Sequence, residues 1–461
     1  MQWETPRQLF ARAAFTDKGW QQDVLLEIEN GAITSITPNN KPPAGIATHN
    51  LLLPGMANVH SHAFQRAMAG LSEIASGAGN DNFWSWRQVM YLFKQRLTPE
   101  HVEIIAQHLY IELLKQGYTA VGEFHYLHND AQGNPYDNQL ELSHRIMAAS
   151  AASGIHLSLL PVYYETSNFG GIPANDGQKR FTHSIDNFLK LLQSLKALES
   201  SSMNLGVAPH SLRAVPEGSL KTLLAALPGL GMKECPIHMH VSEQVKEVDD
   251  CIVWSGKRPV QWLLDNAPVN EHWCLIHATH SNPQEVSRIA ASKAVVGLCP
   301  TTEANLGDGI FPGADYMTQQ GRIGIGSDSN VCISPFEELR QMEYAQRLVT
   351  KRRTVLCDDK MPSVGRSLYS RASTGGAQAL GLSSGVIAAG KRADLIAIDT
   401  DTPLLADKKG DQLLDTLVMI CQSAPVSHVW VAGKQVINNG RHALEAESRA
   451  AWVKTLKEIT A

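Results

Sequence analysis

The sequence predicts an α/β protein built on a (β/α)8 barrel of the TIM type, with a small β-sandwich domain made from both chain ends. Three observations predict it. Eight short, near-continuous apolar runs recur through the middle of the chain, as buried parallel strands do. Amphipathic helical patterns fall between many of them, the alternation a parallel barrel requires. Both ends carry half-buried, hairpin-type strands instead.

Near the N-terminus, L-E-I-E-N-G-A-I-T-S-I reads as a hairpin turning at Asn30-Gly31, a pair suited to the positive φ of a tight turn. The eight apolar runs cover 51–60, 119–125, 156–162, 204–210, 236–241, 273–278, 294–299 and 322–327. The clearest helix is T-P-E-H-V-E-I-I-A-Q-H-L-Y-I-E-L-L-K-Q-G. Thr98 can cap it, Pro99 suits its first position and Gly117 its stop. Val102, Ile105, Leu109 and Leu113 mark its buried stripe. Residues 335–352 and 367–380 read as further helices. R-A-D-L-I-A-I-D and H-V-W-V-A-G-K-Q-V-I-N-N-G-R-H then give a last strand and hairpin. The expected division is 1–52 and 382–461 for the small domain and 53–381 for the barrel.

A chain of 461 residues with 43% hydrophobic and 18% charged residues has the composition of an ordinary globular protein with a large core. A net charge of -5 gives no reason to expect nucleic acid or anionic lipid as partner. The first residues lack the layout of a signal peptide, and no apolar run is long enough to span a bilayer. The seven cysteines are odd in number, scattered and without a Cys-x-x-Cys pair. That argues against a disulfide framework or thiolate zinc site and suits a reducing cytoplasm.

In a barrel the active site lies at the carboxyl ends of the strands. Read in order, those ends give His60 and His62, then His125 and Tyr126, then His210 followed by Arg213, then His238, His240 and Glu243, then His277, and finally Asp328. A lone histidine is more often a satisfied core or loop residue than a ligand; so many on one face require another account. His60 and His62 alternate to one side of a strand. With His240 and Asp328 they form a plausible shell for one divalent metal. Nitrogen and oxygen donors without thiolate suit Zn2+, with Fe2+ and Mn2+ as alternatives. No lysine at the fourth strand end offers a bridge to a second metal. Such an ion lowers the pKa of a bound water to roughly 7.

Glu243 is placed to move protons between water and a leaving nitrogen, and His277 to steady the oxyanion formed on attack. His238 lies one layer deeper and reads as a packed support. His280 lies beyond its strand. Glu303 and Asn305 either line the pocket or order their loop, and Arg66 reads as a loop anchor.

P-G-M-A-N-V-H-S-H, H-V-S-E, L-I-H-A-T-H and G-S-D-S together resemble the amidohydrolase superfamily, in its single-metal deaminase branch. The flanking G-V-I-A-A-G-K-R-A-D-L-I-A-I-D resembles that superfamily's composite small domain. Within the branch, H-S-H-A-F-Q-R, F-W-S-W-R, E-F-H-Y, H-S-L-R-A and T-T-E-A-N-L-G-D-G-I-F-P are similar to the formimidoylglutamate deiminases. The resemblance implies hydrolysis of N-formimino-L-glutamate to N-formyl-L-glutamate and ammonia, a step of histidine breakdown, by a homodimer. It implies His60, His62, His240 and Asp328 as metal ligands, Glu243 and His277 as catalytic pair with Asp328 sharing the proton chemistry, and Gln65, Arg87, Tyr126, His210 and Arg213 as substrate-binding. The residues agree with it. A substrate with two carboxylates wants the bidentate forks of Arg87 and Arg213. Gln65 could meet the formimino nitrogen or a carboxylate. The rivals are a formimino-aspartate substrate or a cyclic aminated base; the latter would want aromatic stacking rather than two arginines.

Overall fold

The computed structural model describes residues 5–75 and 81–460. Eight parallel strands form a closed barrel: Met56–Ser61, Tyr118–His125, His156–Tyr163, a broken fourth (Met203–Leu205 and Ala208–Pro209), Ile237–Val241, Trp273–His277, Val295–Leu298 and Arg322–Ile325. The second strand pairs with the first and third, and the fourth with the third. A parallel bridge, Val207 with Ile237, joins the fourth to the fifth. The ladder continues through the sixth, seventh and eighth, and Ile325 pairs with Asn58 to close the ring. The fourth strand breaks at Gly206, where an added Cβ would stand 2.5 Å from Leu160 and 2.7 Å from the Pro236 carbonyl oxygen.

The helix expected after Thr98 spans Pro99–Gln116, its cap made by the Thr98 hydroxyl accepting from His101 N–H and its end by Gly117 at φ 99°. Val102, Ile105, Leu109 and Leu113 are all buried. The other two expected helices form as Pro335–Thr350 and Val364–Ala379. The latter packs against the first and eighth strands. Among the described residues, no helix is long and apolar enough to cross a membrane.

Strands from both chain ends meet beside the barrel. Gln8–Thr16, Gly19–Glu29, Ala32–Thr37 and Thr48–Pro54 join Leu395–Ile398, Val426–Val431 and Lys434–Ile437. Asn30 and Gly31, at φ 51° and 80°, make the expected turn. These seven strands bond into one continuous sheet, with Thr48–Pro54 pairing to both halves. Burial alternates from Val24 to Glu29, as for a strand covered on one face, but Leu395–Ile398 is buried throughout; neither pattern says whether the strands bond as one sheet or two.

The helix Val364–Ala379 can lie on the eighth strand only because Gly375 has no side chain: a Cβ there would come within 1.9 Å of the Ile323 carbonyl oxygen. Replacing Gly375 by Ala should therefore force the helix off the strand. The expected cost is about 1–3 kcal/mol, read as a lower urea midpoint with an unchanged slope.

Candidate active site

Four side chains meet at the floor of the barrel mouth. His60 comes from the first strand and His62 from the position just after it, His240 from the fifth, and Asp328 from the turn after the eighth. His60 Nε2 and His240 Nε2 are 3.0 Å apart. Asp328 Oδ1 lies 3.3 Å from His62 Nε2 and 3.6 Å from His60 Nε2. The Nδ1 atoms of His62 and His240 face the carbonyl oxygens of Phe124 and His210 at 3.1 and 3.2 Å. Donating there fixes each tautomer and leaves Nε2 as a bare lone pair.

Burial holds His60, His62 and His240 below the usual histidine range, His60 at about 3. Burial alone would raise the Asp328 carboxyl, but the hydrogen bond with His60 and the charges of His60, His62 and His277 hold it below its ordinary value. Bare nitrogens and a carboxylate oxygen thus converge within one coordination sphere. A divalent cation satisfies that cluster far better than a proton does.

Buried polar contacts hold these ligands. Asn58 bonds Ser327 twice, Nδ2 to Oγ at 2.6 Å and Oδ1 from N–H at 3.1 Å. Ser327 Oγ donates to Asn330 Oδ1 at 2.6 Å, and Asn330 Nδ2 reaches Ser61 Oγ and the carbonyl oxygens of His62 and Asp328 at 3.0–3.3 Å. Glu123 accepts from Ala63 N–H at 2.7 Å and from the Tyr110 hydroxyl at 3.1 Å. Arg66 anchors the loop as expected, donating to the Asn330 carbonyl oxygen at 2.7 Å.

Glu243 and His277 stand above the cluster. His277 Nε2 is 3.8 Å from Glu243 Oε1 and 3.7 Å from Asp328 Oδ2. Burial raises the Glu243 carboxyl, and Asp328 and Glu247 add to that against the pull of His277 and Arg213. Burial disfavours the charged His277 ring, yet Glu243, Glu303 and Asp328 together push its pKa up. Glu247 receives the N–H groups of Ser242 and Glu243, both at 3.1 Å, and so pins the turn that carries Glu243. Glu303 bonds the far side of His277, while Asn305 bonds Glu73 on the exposed rim. His238 bonds the Ala379 carbonyl oxygen beneath the site, as its deeper layer predicts. His125 turns away, packing against His128.

A cavity of about 570 Å³ rises from this floor. His62, Gln65, Arg87, Tyr126, His210, Arg213, His240, Glu243 and Asp328 all line it. The eleven residues singled out from the sequence are thus brought together, ten at or in the cavity wall or floor and His277 beside Glu243. Gln65 Nε2 donates to the Tyr126 hydroxyl at 2.7 Å, leaving Oε1 buried and unpartnered. The Arg87 and Arg213 guanidiniums lie 4.4 and 5.7 Å from the Trp84 ring. Neither has an ion-pair partner among the described residues, and buried nitrogens of both lack hydrogen bonds. A half-buried Arg87 and a buried Arg213 with unsatisfied guanidinium nitrogens in one cavity are costly unless an anion joins them. Sequence reasoning missed the aromatic wall, in which Tyr91, Tyr164 and Phe181 stand opposite the floor. It assigned no role to Glu123, an acid in an apolar run within E-F-H-Y, or to Glu247, which the charged stretch Q-V-K-E-V-D-D does not mark out.

Residues 51–436 match the model of the amidohydrolase family, and residues 7–50 match that of the formimidoylglutamate deiminase HutF N-terminal domain. A formimidoylglutamate deiminase of Pseudomonas aeruginosa is 50% identical over 98% of this chain and 99% of its own. A crystal structure of an amidohydrolase from Brucella melitensis superposes with a TM-score of 0.92 at 44% identity, covering 99% of this chain and 100% of that one. An adenosine deaminase from Xanthomonas campestris, solved with bound zinc, shares the fold at TM-score 0.79 and 21% identity, covering 98% of each chain.

The clasp around Asn330 yields a prediction. Asn330→Ala removes side-chain hydrogen bonds to four residues, Ser61, His62, Ser327 and Asp328. Metal affinity should fall about 10–100-fold, measured by competition with a chelator; an unchanged affinity would show that the backbone alone holds the ligands.

Proposed function

The chain belongs to the amidohydrolase family, and from that membership we propose that it is a metal-dependent deaminase converting N-formimino-L-glutamate and water to N-formyl-L-glutamate and ammonia, in histidine degradation. The observation that carries this substrate is the pair of unpaired arginines facing the donor cluster across one cavity. A glutamate with two carboxylates and a formimino group on its amino nitrogen fits that division of charge. Identity of 50% to a formimidoylglutamate deiminase supports the same reading.

His60, His62, His240 and Asp328 would hold one divalent ion, zinc on the nitrogen and oxygen donor set. When bound, the ion supplies Lewis acidity and lowers the pKa of water toward neutrality. Arg87 and Arg213 receive the carboxylates through bidentate, charge-assisted hydrogen bonds, with Tyr126 and His210 as further partners. Held at that end, the formimino carbon stays near the attacking water, and positioning of this kind contributes several kcal/mol.

Glu243, helped by Asp328, takes a proton from the water as it attacks. His277 Nε2, aimed into the site without a partner, steadies the oxyanion. Glu243 passes that proton to the imino nitrogen; the second proton of the water, taken up by Asp328 as the carbonyl of the formyl group forms, goes to the same nitrogen, which leaves as ammonia. Gln65 Oε1, buried and unpartnered, is placed to accept from the formimino N–H. The setting we propose is cytoplasmic, with a small-molecule substrate and a second copy of the chain as partners; seven free cysteines suit a reducing compartment.

The test is ammonia release from N-formimino-L-glutamate by metal-stripped and zinc-reloaded protein, beside the aspartate analogue and guanine. Zinc-dependent release from the glutamate compound alone is expected. Turnover of guanine instead would mean that the aromatic wall, not the arginines, selects the substrate. Glu243→Gln should lose at least about 10²-fold in kcat while keeping its metal. Arg87→Met and Arg213→Met should each raise KM about 10–100-fold, the equivalent of roughly 1.5–3 kcal/mol for hydrogen bonds to a charged group.

A further inference from the structure

We propose that Glu303 is a positioning residue for this reaction, its carboxylate fixing the His277 ring so that Nε2 faces the reacting atoms. The inference rests on the deaminase reading above. His277 Nδ1 lies 3.2 Å from Glu303 Oε1, and the same oxygen accepts the Cys299 N–H at 3.0 Å. Glu303 is thus fixed before it fixes His277: it belongs to the short helix Pro300–Leu306 and folds back on that helix's own N-cap residue. Thr302 adds a hydroxyl bond to the Ser327 carbonyl oxygen at 3.2 Å, tying the same helix to the loop that carries Asp328.

His277 needs such a hold. Its backbone sits at φ 68° and Ala278 follows at φ 49°, a left-handed conformation that ordinary residues seldom adopt. The ring is wholly buried, and its Nε2 has no hydrogen-bond partner. Nδ1 is the ring atom through which the protein makes its hydrogen bond to His277, beside the stacking of His240 on the ring. Glu303 itself lies outside the substrate cavity and lines a separate one of about 820 Å³ on the outer side of the mouth. It reaches the reaction only through His277.

Three variants test this: Glu303→Leu, which removes the acceptor at similar volume; Glu303→Gln, whose amide oxygen is held toward His277 by the Cys299 N–H; and His277→Ala combined with Glu303→Leu. Glu303→Leu should lose about 10–100-fold in kcat with KM and metal content unchanged, and Glu303→Gln should restore most of it. Added to His277→Ala, Glu303→Leu should cost nothing further, because a residue acting through another is silent once that other is gone. In the nitrogen–proton spectrum of the histidine rings, a slowly exchanging Nδ1 proton that vanishes in His277→Ala should persist in Glu303→Gln and be lost in Glu303→Leu. Equal activity of the Leu and Gln variants, independent losses in the double variant, or an Nδ1 proton indifferent to Glu303→Leu would each overturn the proposal. Where Glu303→Leu does not fold, Glu303→Ala takes its place. A wild-type protein that releases no ammonia from N-formimino-L-glutamate would defeat the deaminase reading, while the ring-proton comparison would still decide this one.

Discussion

Closure of the barrel between its first and last strands is the constraint on which the mouth depends. Backbone pairing there is thin: one ladder pair, Ile325 with Asn58, and an isolated bridge from Ser61 to Asp328. What joins the strands is a chain of buried side-chain hydrogen bonds running from Asn58 through Ser327 to Asn330. A fully satisfied polar network in a low-dielectric interior is rigid and specific, whereas a broken one leaves desolvated groups behind. Three of the four clustered donors, His60, His62 and Asp328, sit on the segments this network clamps. Barrel closure and donor geometry are therefore one structural problem. Gly326 is part of its solution, since a Cβ there would stand 2.8 Å from His60 Cβ.

Charge is sorted vertically above that clamp. The floor is rich in carboxylates: Asp328 among the imidazoles, Glu243 above it, with Glu247 and Glu303 behind. The upper wall carries Arg87 and Arg213, whose guanidiniums lie over the Trp84 ring, Arg213 also feeling the charges of Glu247 and Glu243. Stacking on an aromatic face holds a cation without neutralising it. The arginines thus stay available to a ligand while their geometry is set in advance. An amidine end seeks the floor and carboxylates seek the wall, so the cavity orients such a substrate before any bond is made.

Much of this was legible in the sequence because it depends on local periodicity. His60 and His62 share a face through the two-residue repeat of a strand. His240 and Glu243 follow an apolar run that can only be a buried strand, and Asp328 ends another. The helix from Pro99 announced itself by cap, first position and stop. What stayed hidden depends on contacts between distant segments. Glu303 is 26 positions from the ring it bonds, and Glu123 is 60 from the amide it receives. Glu303 was marked only as lining the pocket or ordering its loop, and Glu123 only as an acid in an apolar run; neither mark names the partner. The break in the fourth strand was hidden for the same reason: it follows from the approach of Leu160 and Pro236 to Gly206, which periodicity does not report.

The strand ends themselves show how a regular scaffold turns its side chains to chemistry. Ser242, His277, Asp328 and Asn330 all take positive φ, between 45° and 68°, where a side chain costs about 1–3 kcal/mol that glycine would avoid. Glycine would relieve the backbone at every one of these places. At His277 and Asp328 it would also remove the group that faces the cavity floor, and at Asn330 the side chain that clasps the first strand to the last. The strain is localised where the chain leaves the sheet and must aim a functional group back over the barrel axis. It is held by contacts the regular strands make possible: Glu247 under Ser242, Glu303 behind His277, Asn330 across Asp328. A barrel with relaxed, glycine-rich turns would fold as readily, but its mouth would hold neither donors nor proton carriers at fixed distances.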